Sequence, residues 1–188
     1  MKTITTALLL VTLTATSNAA EYLGLDLGVA TKEKVLQQLN ASNSFFEEDY
    51  GYKGYSTALP SVKVLNYEKF DKLGSVIDAW LNFSPNAVLY RIEVTYSDEG
   101  ETFKVLKDAL DSKYGRAQQQ GSGFKSECLY RDGKTNITLL RNTFGFGKDQ
   151  ETSLIYVFTP FIAEVNKMKA AIEEDIKQKN ANKVGKDL

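Results

Sequence analysis

Three tyrosines set among glycines are the residues most suggestive of binding chemistry. Tyr50, Tyr52 and Tyr55 fall within a short segment that also holds Gly51 and Gly54. A tyrosine side chain offers a large contact area at low entropic cost, and binding loops use it for that reason. We interpret the segment either as a binding loop or as an edge strand that packs its rings into the core.

A second aromatic segment lies further along the chain. Phe144 and Phe146 alternate with glycines between Thr143 and Lys148. The same two interpretations apply, binding or packing. If both segments lay on one side of the molecule they would form one patch, and exposed apolar patches beyond a few hundred Å² often mark interfaces.

The absence of histidine excludes several kinds of active site. With no histidine and a single cysteine, Cys128, the chain cannot form a zinc site from these residues, a histidine-activated nucleophile or an internal disulfide. We expect no metal and no cofactor. Cys128 lies in an alternating segment, which favours a buried thiol that acts as a small hydrophobe over a reactive or intermolecular one.

Glycine-containing motifs do not point to a nucleotide. Gly133-Lys134-Thr135 lacks the upstream glycine of a phosphate loop, since that position holds Cys128. Gly121-Ser122-Gly123 lacks the third glycine of a dinucleotide fingerprint. Both segments are better explained as turns beside strands.

The acidic side chains occur in runs. Glu47–Asp49 and Glu173–Asp175 are interpreted as solvated charge, because hydrolysis by two carboxylates needs them to face each other across a cleft. A carboxylate-dependent hydrolase remains an alternative. The formal net charge of −1 argues against nucleic acid as a partner.

The first residues have the composition of an export signal. Residues 1–19 carry one base, Lys2, then an apolar stretch at residues 7–13, and small residues before a cleavage point after Ala19 or Ala20. A buried N-terminal strand or helix is the alternative. The apolar stretch is shorter than the roughly 20 residues that span a bilayer. We therefore expect a periplasmic or secreted mature protein that is soluble and has no transmembrane segment.

Three segments have helical periodicity. Thr31 is a natural N-cap for a helix that ends near Asn40, and residues Thr102–Tyr114 carry an apolar stripe that ends at Gly115. Near the C-terminus an apolar residue recurs every three or four positions, which predicts an amphipathic helix: Phe161, Val165, Met168, Ile172 and Ile176. Residues 177–188 are polar, and we expect a flexible tail there.

The remaining regular segments alternate with the period of a strand. They are Ser61–Tyr67, Val76–Phe83, Val88–Tyr96, Phe124–Arg131, Thr135–Arg141 and Thr152–Phe158. Such runs of strands favour an α+β fold, a single domain over residues 20–176 with an antiparallel sheet and helices on one face. The order also suggests a tandem α-β-β-β repeat, with halves at residues 21–97 and 98–160.

Two of these segments resemble a known group of domains. Residues 27–36, Leu-Gly-Val-Ala-Thr-Lys-Glu-Lys-Val-Leu, and residues 106–115, which end in Lys-Tyr-Gly, are similar to segments of small exported bacterial domains of the SmpA/OmlA family and of the β-lactamase-inhibitor-protein fold. The resemblance covers about twenty-five residues. It implies helices on one face of an antiparallel sheet and a role in binding other proteins or in envelope assembly. The lipid-bearing cysteine of the outer-membrane members is missing.

The sequence therefore predicts an exported binding module without catalysis. The candidate partner is an envelope or periplasmic protein, and the candidate binding residues are Tyr50, Tyr52, Tyr55, Phe144 and Phe146. Besides the hydrolase, a carrier of a small apolar ligand between helices and sheet is an alternative.

Overall fold

The computed structural model describes residues 20–98, 101–144 and 150–187, with side chains through residue 183. The signal-peptide prediction for residues 1–19 lies outside this part of the chain. The helices are α1 (Lys32–Ala41), α2 (Glu68–Asp71), α3 (Thr102–Tyr114) and α4 (Ile162–Asp187). The strands are β1 (Glu21–Tyr22), β2 (Leu25–Asp26), β3 (Phe45–Tyr52), β4 (Tyr55–Asn66), β5 (Val76–Phe83), β6 (Leu89–Ser97), β7 (Gln118–Ser122), β8 (Lys125–Asp132), β9 (Thr135–Asn142) and β10 (Glu151–Phe158).

Eight strands form one antiparallel sheet in the order β3-β4-β5-β6-β10-β9-β8-β7. β1 and β2 pair separately as a small ribbon. The predicted α+β class with an antiparallel sheet is confirmed, and so is the C-terminal helix.

The sheet consists of two four-strand meanders. α1 precedes β3 to β6 and α3 precedes β7 to β10, and the last strands of the two units, β6 and β10, pair antiparallel from Ser97↔Glu151 to Arg91↔Val157. Each unit thus has one strand more than the predicted α-β-β-β pattern. The additional strands, β3 and β7, are the two outer edges. The strand order is therefore symmetric about the β6–β10 pair.

The main core lies between the sheet and the helices α1 and α3. Thr31 caps α1 as predicted, since its side chain accepts a hydrogen bond from the amide of Lys34. α1 buries Val35 and Leu39, and α3 buries Leu106 and Leu110, against the alternate residues of the central strands. These two helices share one face, as the sequence predicts.

α4 lies on the opposite face and encloses a second core, so the prediction of one helical face does not extend to it. A 3₁₀ turn at Thr159–Phe161 leads from β10 into this helix. The register shift between Asn82 and Phe83 turns Leu89 into the main core and Tyr90 into the second. The predicted stripe of α4 packs there, where the cluster consists of Leu59, Tyr90, Val165 and Ile172 with Tyr52, Tyr55, Ala58, Val157, Phe161, Met168 and Ile176 at its margin.

The sequence predicts a flexible tail at residues 177–188. In the structure, residues 177–187 are instead helical and continue α4 to Asp187. None of the helices that the structure describes combines the length and apolar character needed to cross a bilayer.

Candidate ligand-binding groove

An open groove runs along α4 on the face of the sheet that this helix partly covers. It consists of two adjoining cavities of about 410 Å³ and about 300 Å³. Both are lined by Trp80, Asn82, Tyr90 and Lys169. Each volume is within the range of about 300–1,000 Å³ that is usual for ligand sites. We call these two adjoining cavities together the groove.

The alternation of β5 places the aromatic residue Trp80 in the groove. Ala79 and Leu81 point into the main core, so Trp80 and Asn82 point to the other face. The indole Nε1 donates a 2.6 Å hydrogen bond to Asp78 Oδ2, which fixes the orientation of the ring. Asn82 Oδ1 accepts from the hydroxyl of Ser61 on β4 at 3.0 Å.

Charged and aromatic neighbours hold Trp80 in place. Lys63 Nζ lies 5.5 Å from the centre of the indole and 3.4 Å from Asp78 Oδ1. Tyr50 meets the indole edge-on, with ring centroids 5.0 Å apart at an interplanar angle of 86°. This predicted binding residue is 40% exposed and lines the groove, while its hydroxyl donates to Glu47 at 2.7 Å.

Tyr52, the second predicted residue, lines the groove and also holds α4 in place. Its hydroxyl donates a 2.6 Å hydrogen bond to Glu173, and Lys53 Nζ lies 3.1 Å from the same carboxylate oxygen. These contacts, the hydrogen bond from Tyr52 above all, lower the pKa of the Glu173 carboxyl.

Tyr55 acts in packing. Its hydroxyl donates to Asp175 on α4 and accepts from Lys179 Nζ at 3.1 Å, and its ring packs at the margin of the second core. Lys179 and Tyr55, in that order, lower the pKa of the Asp175 carboxyl. The three tyrosines thus lie in two paired strands. The sequence had left open whether this segment forms a binding loop or an edge strand.

Phe144 lies far from the three tyrosines. It follows β9 at the end of the sheet where β8 begins, whereas the β3–β4 hairpin lies at the opposite end and the opposite edge. Phe144 is 72% exposed and contacts Phe124 edge-on, with centroids 6.0 Å apart. Phe146 lies outside the described residues. The structure therefore does not join Phe144 to the tyrosines in one patch.

The groove has a surplus of positive charge and of hydrogen-bond donors. Arg91 is paired with Glu93 at 2.7 Å. Lys169 has no carboxylate within 4 Å among the described residues, and its Nζ lies 5.0 Å from the centre of the Tyr52 ring. The hydroxyl of Tyr90 makes no hydrogen bond within the described part of the chain, and burial raises its pKa, so it remains a donor. The arrangement suits a ligand that presents an anionic group and several acceptors.

Two other cavities are less suited to a ligand. A hollow of about 510 Å³ lies between α3 and the β7–β8 hairpin, and three of its charged or amide side chains are engaged: Lys107 pairs with Asp111, and Gln120 donates to Glu127 at 2.7 Å. An apolar cleft of about 210 Å³ lies under α3 between Leu106 and the β1–β2 ribbon. This cleft is the place for the apolar ligand of the carrier hypothesis, yet it is below the usual size of a ligand site.

The described residues contain no cluster of three or more histidine, cysteine or acidic side chains that could hold a metal ion. Cys128 is buried, with 2% of its surface exposed, and burial raises the pKa of its thiol.

The sequence-based interpretation missed the centre of the groove, formed by Trp80, Tyr90 and Lys169. One signal was present: Trp80 is a large aromatic residue on the polar side of an alternating strand, between Asp78 and Asn82. Tyr90 gave no signal, since the alternation of its strand continues through it and only the register shift turns it to the groove. Lys169 is distinctive because it has no carboxylate partner within 4 Å among the described residues, and that can be seen only from the three-dimensional positions of the acidic side chains.

Comparisons of the chain with protein-family models, with curated proteins and with solved structures found no match.

Proposed function

We propose that this protein is a non-catalytic binding module that holds another protein or an envelope component in the groove. The observation that carries the proposal is that two adjoining cavities share four lining residues, Trp80, Asn82, Tyr90 and Lys169. Two open cavities side by side fit an extended segment of a polymer better than a small compact molecule.

The chemistry of the groove indicates what the ligand presents. Lys169 is half-buried and has no carboxylate within 4 Å among the described residues, so an anionic group of the ligand would gain a charge-assisted hydrogen bond there. Trp80 and Tyr50 provide aromatic surface beside it. The proposed ligand is therefore an acidic polypeptide segment or an acidic envelope polymer.

Binding is favoured over hydrolysis because Glu93 in the groove and Asp78 beside it are both paired with cations. Glu93 accepts two hydrogen bonds from Arg91, at 3.1 and 2.7 Å, and Asp78 contacts both Lys63 and the indole of Trp80. A hydrolase needs one carboxyl that keeps its proton and another that stays ionised. Carboxylates paired with cations do not provide the first of these.

The proposed location is the periplasm or the exterior of the cell. It rests on the composition of residues 1–19, which has the basic start, apolar stretch and small residues of a signal peptide.

The test is capture of partners from an envelope extract by the immobilised mature protein. We expect Lys169→Gln and Asn82→Ala to reduce the captured amount at least fivefold, because the first removes a positive charge of the groove and the second removes a side-chain amide. Phe144→Ala is the matched control at the far end of the sheet, and it should retain wild-type capture. Loss of capture in Phe144→Ala with full capture in the two groove variants would move the site to the other end of the molecule.

A second measurement addresses ligand charge directly. Trp80 is the only tryptophan, so its emission reports on the groove alone. We expect poly-L-glutamate to change this emission in the wild type, with a weaker response in Lys169→Gln, and poly-L-lysine to leave it unchanged. An equal response to both polymers would contradict the proposed preference for an anionic ligand.

Catalysis is tested separately with ester, glycoside and peptide substrates. We expect no turnover. Turnover that disappears in Glu93→Gln would replace the binding proposal with the hydrolase alternative.

A further inference from the structure

The two edges of the sheet occupy equivalent positions in the repeat but differ in chemistry. β3 and β7 are each the first strand of a meander, and each pairs with a neighbour on one side only. The backbone N–H and C=O groups on the free side of such a strand can pair with another strand.

The β3 edge carries features that oppose such pairing. Glu47, Glu48 and Asp49 are consecutive acids on this strand, and its pairing with β4 is interrupted by three register shifts. Lys32 Nζ also lies 3.5 Å from the backbone oxygen of Glu48 and 3.3 Å from its carboxylate. Acids and irregular register are the usual means by which edge strands avoid association.

The β7 edge carries none of these protections. Its sequence, Gln-Gln-Gln-Gly-Ser, contains no charge and no proline, and all five residues are exposed. It pairs with β8 in unbroken register from Gln118↔Leu129 to Ser122↔Lys125. Glutamine both donates and accepts hydrogen bonds, so a strand of glutamines is complementary to itself.

We propose that two copies of this chain associate through β7, paired antiparallel about a two-fold axis at Gln120. The sheet then continues from one copy into the other. The proposal is independent of the groove, because β8 separates β7 from β9, the nearest strand that lines it.

The side chains that flank β7 are compatible with this antiparallel pairing. If Gln120 faces Gln120 of the second copy, Arg116 of one copy lies opposite Phe124 of the other. Phe124 is 63% exposed, and Arg116 is exposed with no carboxylate within 4 Å among the described residues, so a cation–π contact can form at each end. The same pairing at β3 would place its run of acids against an identical run.

The short length of β7 limits the area that the dimer can bury, and therefore its affinity. A five-residue strand with one aromatic contact at each end is smaller than the roughly 800 Å² per partner of a standard interface. We therefore expect a weak dimer that forms with increasing concentration. Association stops at two copies, since the pairing uses both β7 edges and the β3 edges are protected.

The test is sedimentation equilibrium of the mature protein over about 5 µM to 1 mM. We expect a monomer–dimer equilibrium in the wild type and a monomer throughout in Gln120→Glu, because two carboxylates then face each other beside the Glu127 side chains of both copies. An equimolar mixture of Gln120→Glu with Gln120→Lys should dimerise again. Asp49→Lys on β3 is the matched control and should dimerise like the wild type.

Two outcomes would overturn the proposal. One is a wild-type monomer across the whole concentration range. The other is a Gln120→Glu variant that dimerises as the wild type does, which would place the contact elsewhere. Unchanged circular dichroism of each variant shows that the fold is retained.

Discussion

The hydroxyl of Tyr52 donates a 2.6 Å hydrogen bond to the carboxylate of Glu173, and this contact joins the edge strand β3 to α4 across the second core. Lys53 reaches the same carboxylate at 3.1 Å, and Tyr55 and Lys179 form a matching contact with Asp175 close by along the helix. Two carboxylates of α4 therefore hold the wall of the groove in place. The stability of that wall depends on their ionisation.

We predict that the protein loses stability as the solution becomes acidic. The pKa values of Glu173 and Asp175 are lowered in the folded state, so both contribute stability above their unfolded values of about 4.3 and 3.9. This contribution is lost as the pH falls through that range towards the lower folded values. Melting temperatures between pH 7 and pH 3 measure the loss.

The double variant Glu173→Gln/Asp175→Asn isolates these two groups from the other acids. We expect its melting temperature to fall less steeply than that of the wild type between pH 5 and pH 3. Parallel curves for the two proteins would show that the contacts of α4 do not contribute to the pH dependence.

We predict a large loss of stability in Ile172→Ala. Ile172 is 4% exposed in the second core, and replacing a buried isoleucine with alanine costs about 2–5 kcal/mol. Urea unfolding measures the change, and Trp80 emission should shift to longer wavelength if α4 loosens. Lys167→Ala, at an exposed position of the same helix, should change the free energy of unfolding by less than about 0.5 kcal/mol.

We predict that Tyr96→Phe does not destabilise the protein. Tyr96 is fully buried, and its hydroxyl has no hydrogen-bond partner among the described residues. An unsatisfied buried hydroxyl costs about 1–3 kcal/mol, so its removal should leave the free energy of unfolding unchanged or raise it by about 1 kcal/mol. A loss of stability in this variant would reveal a partner for the hydroxyl.

We predict slow chemical labelling of Cys128 in the folded protein. The thiol is buried and its pKa is raised by that burial, so little thiolate is accessible at neutral pH. Reaction with a disulfide reagent should accelerate by orders of magnitude in denaturant. Rapid labelling of the native protein would instead support the reactive thiol that the sequence left as an alternative.

Local sequence patterns predict those elements of this fold that bury one clear face. α3 has the bounds expected from its stripe and Gly115, and β5 has the bounds expected from its alternation. β7 escaped prediction, and an edge strand at β3 was only one of two interpretations, because both strands have mostly exposed residues and no apolar alternation marks them.

The side of the sheet on which α4 packs could not be read from its sequence. The stripe from Phe161 to Ile176 shows that the helix has one apolar face, but not which surface receives it. That surface depends on Leu59 and Tyr90, which are distant in sequence, and on the register shift that separates Leu89 from Tyr90. The groove depends on the same long-range arrangement, and therefore only Tyr50 and Tyr52 of its lining were among the predicted binding residues.

The position of α4 also bears on the order in which this chain can fold. The last helix packs on strands from the first half of the domain, and the central pair of strands, β6 and β10, joins segments from both halves. During synthesis the second core therefore cannot form until α4 has been made, although β4 and β6 are made much earlier. Contacts between such distant segments slow folding, and in a nascent chain of this topology the second core stays open, and accessible to chaperones, until α4 has left the ribosome.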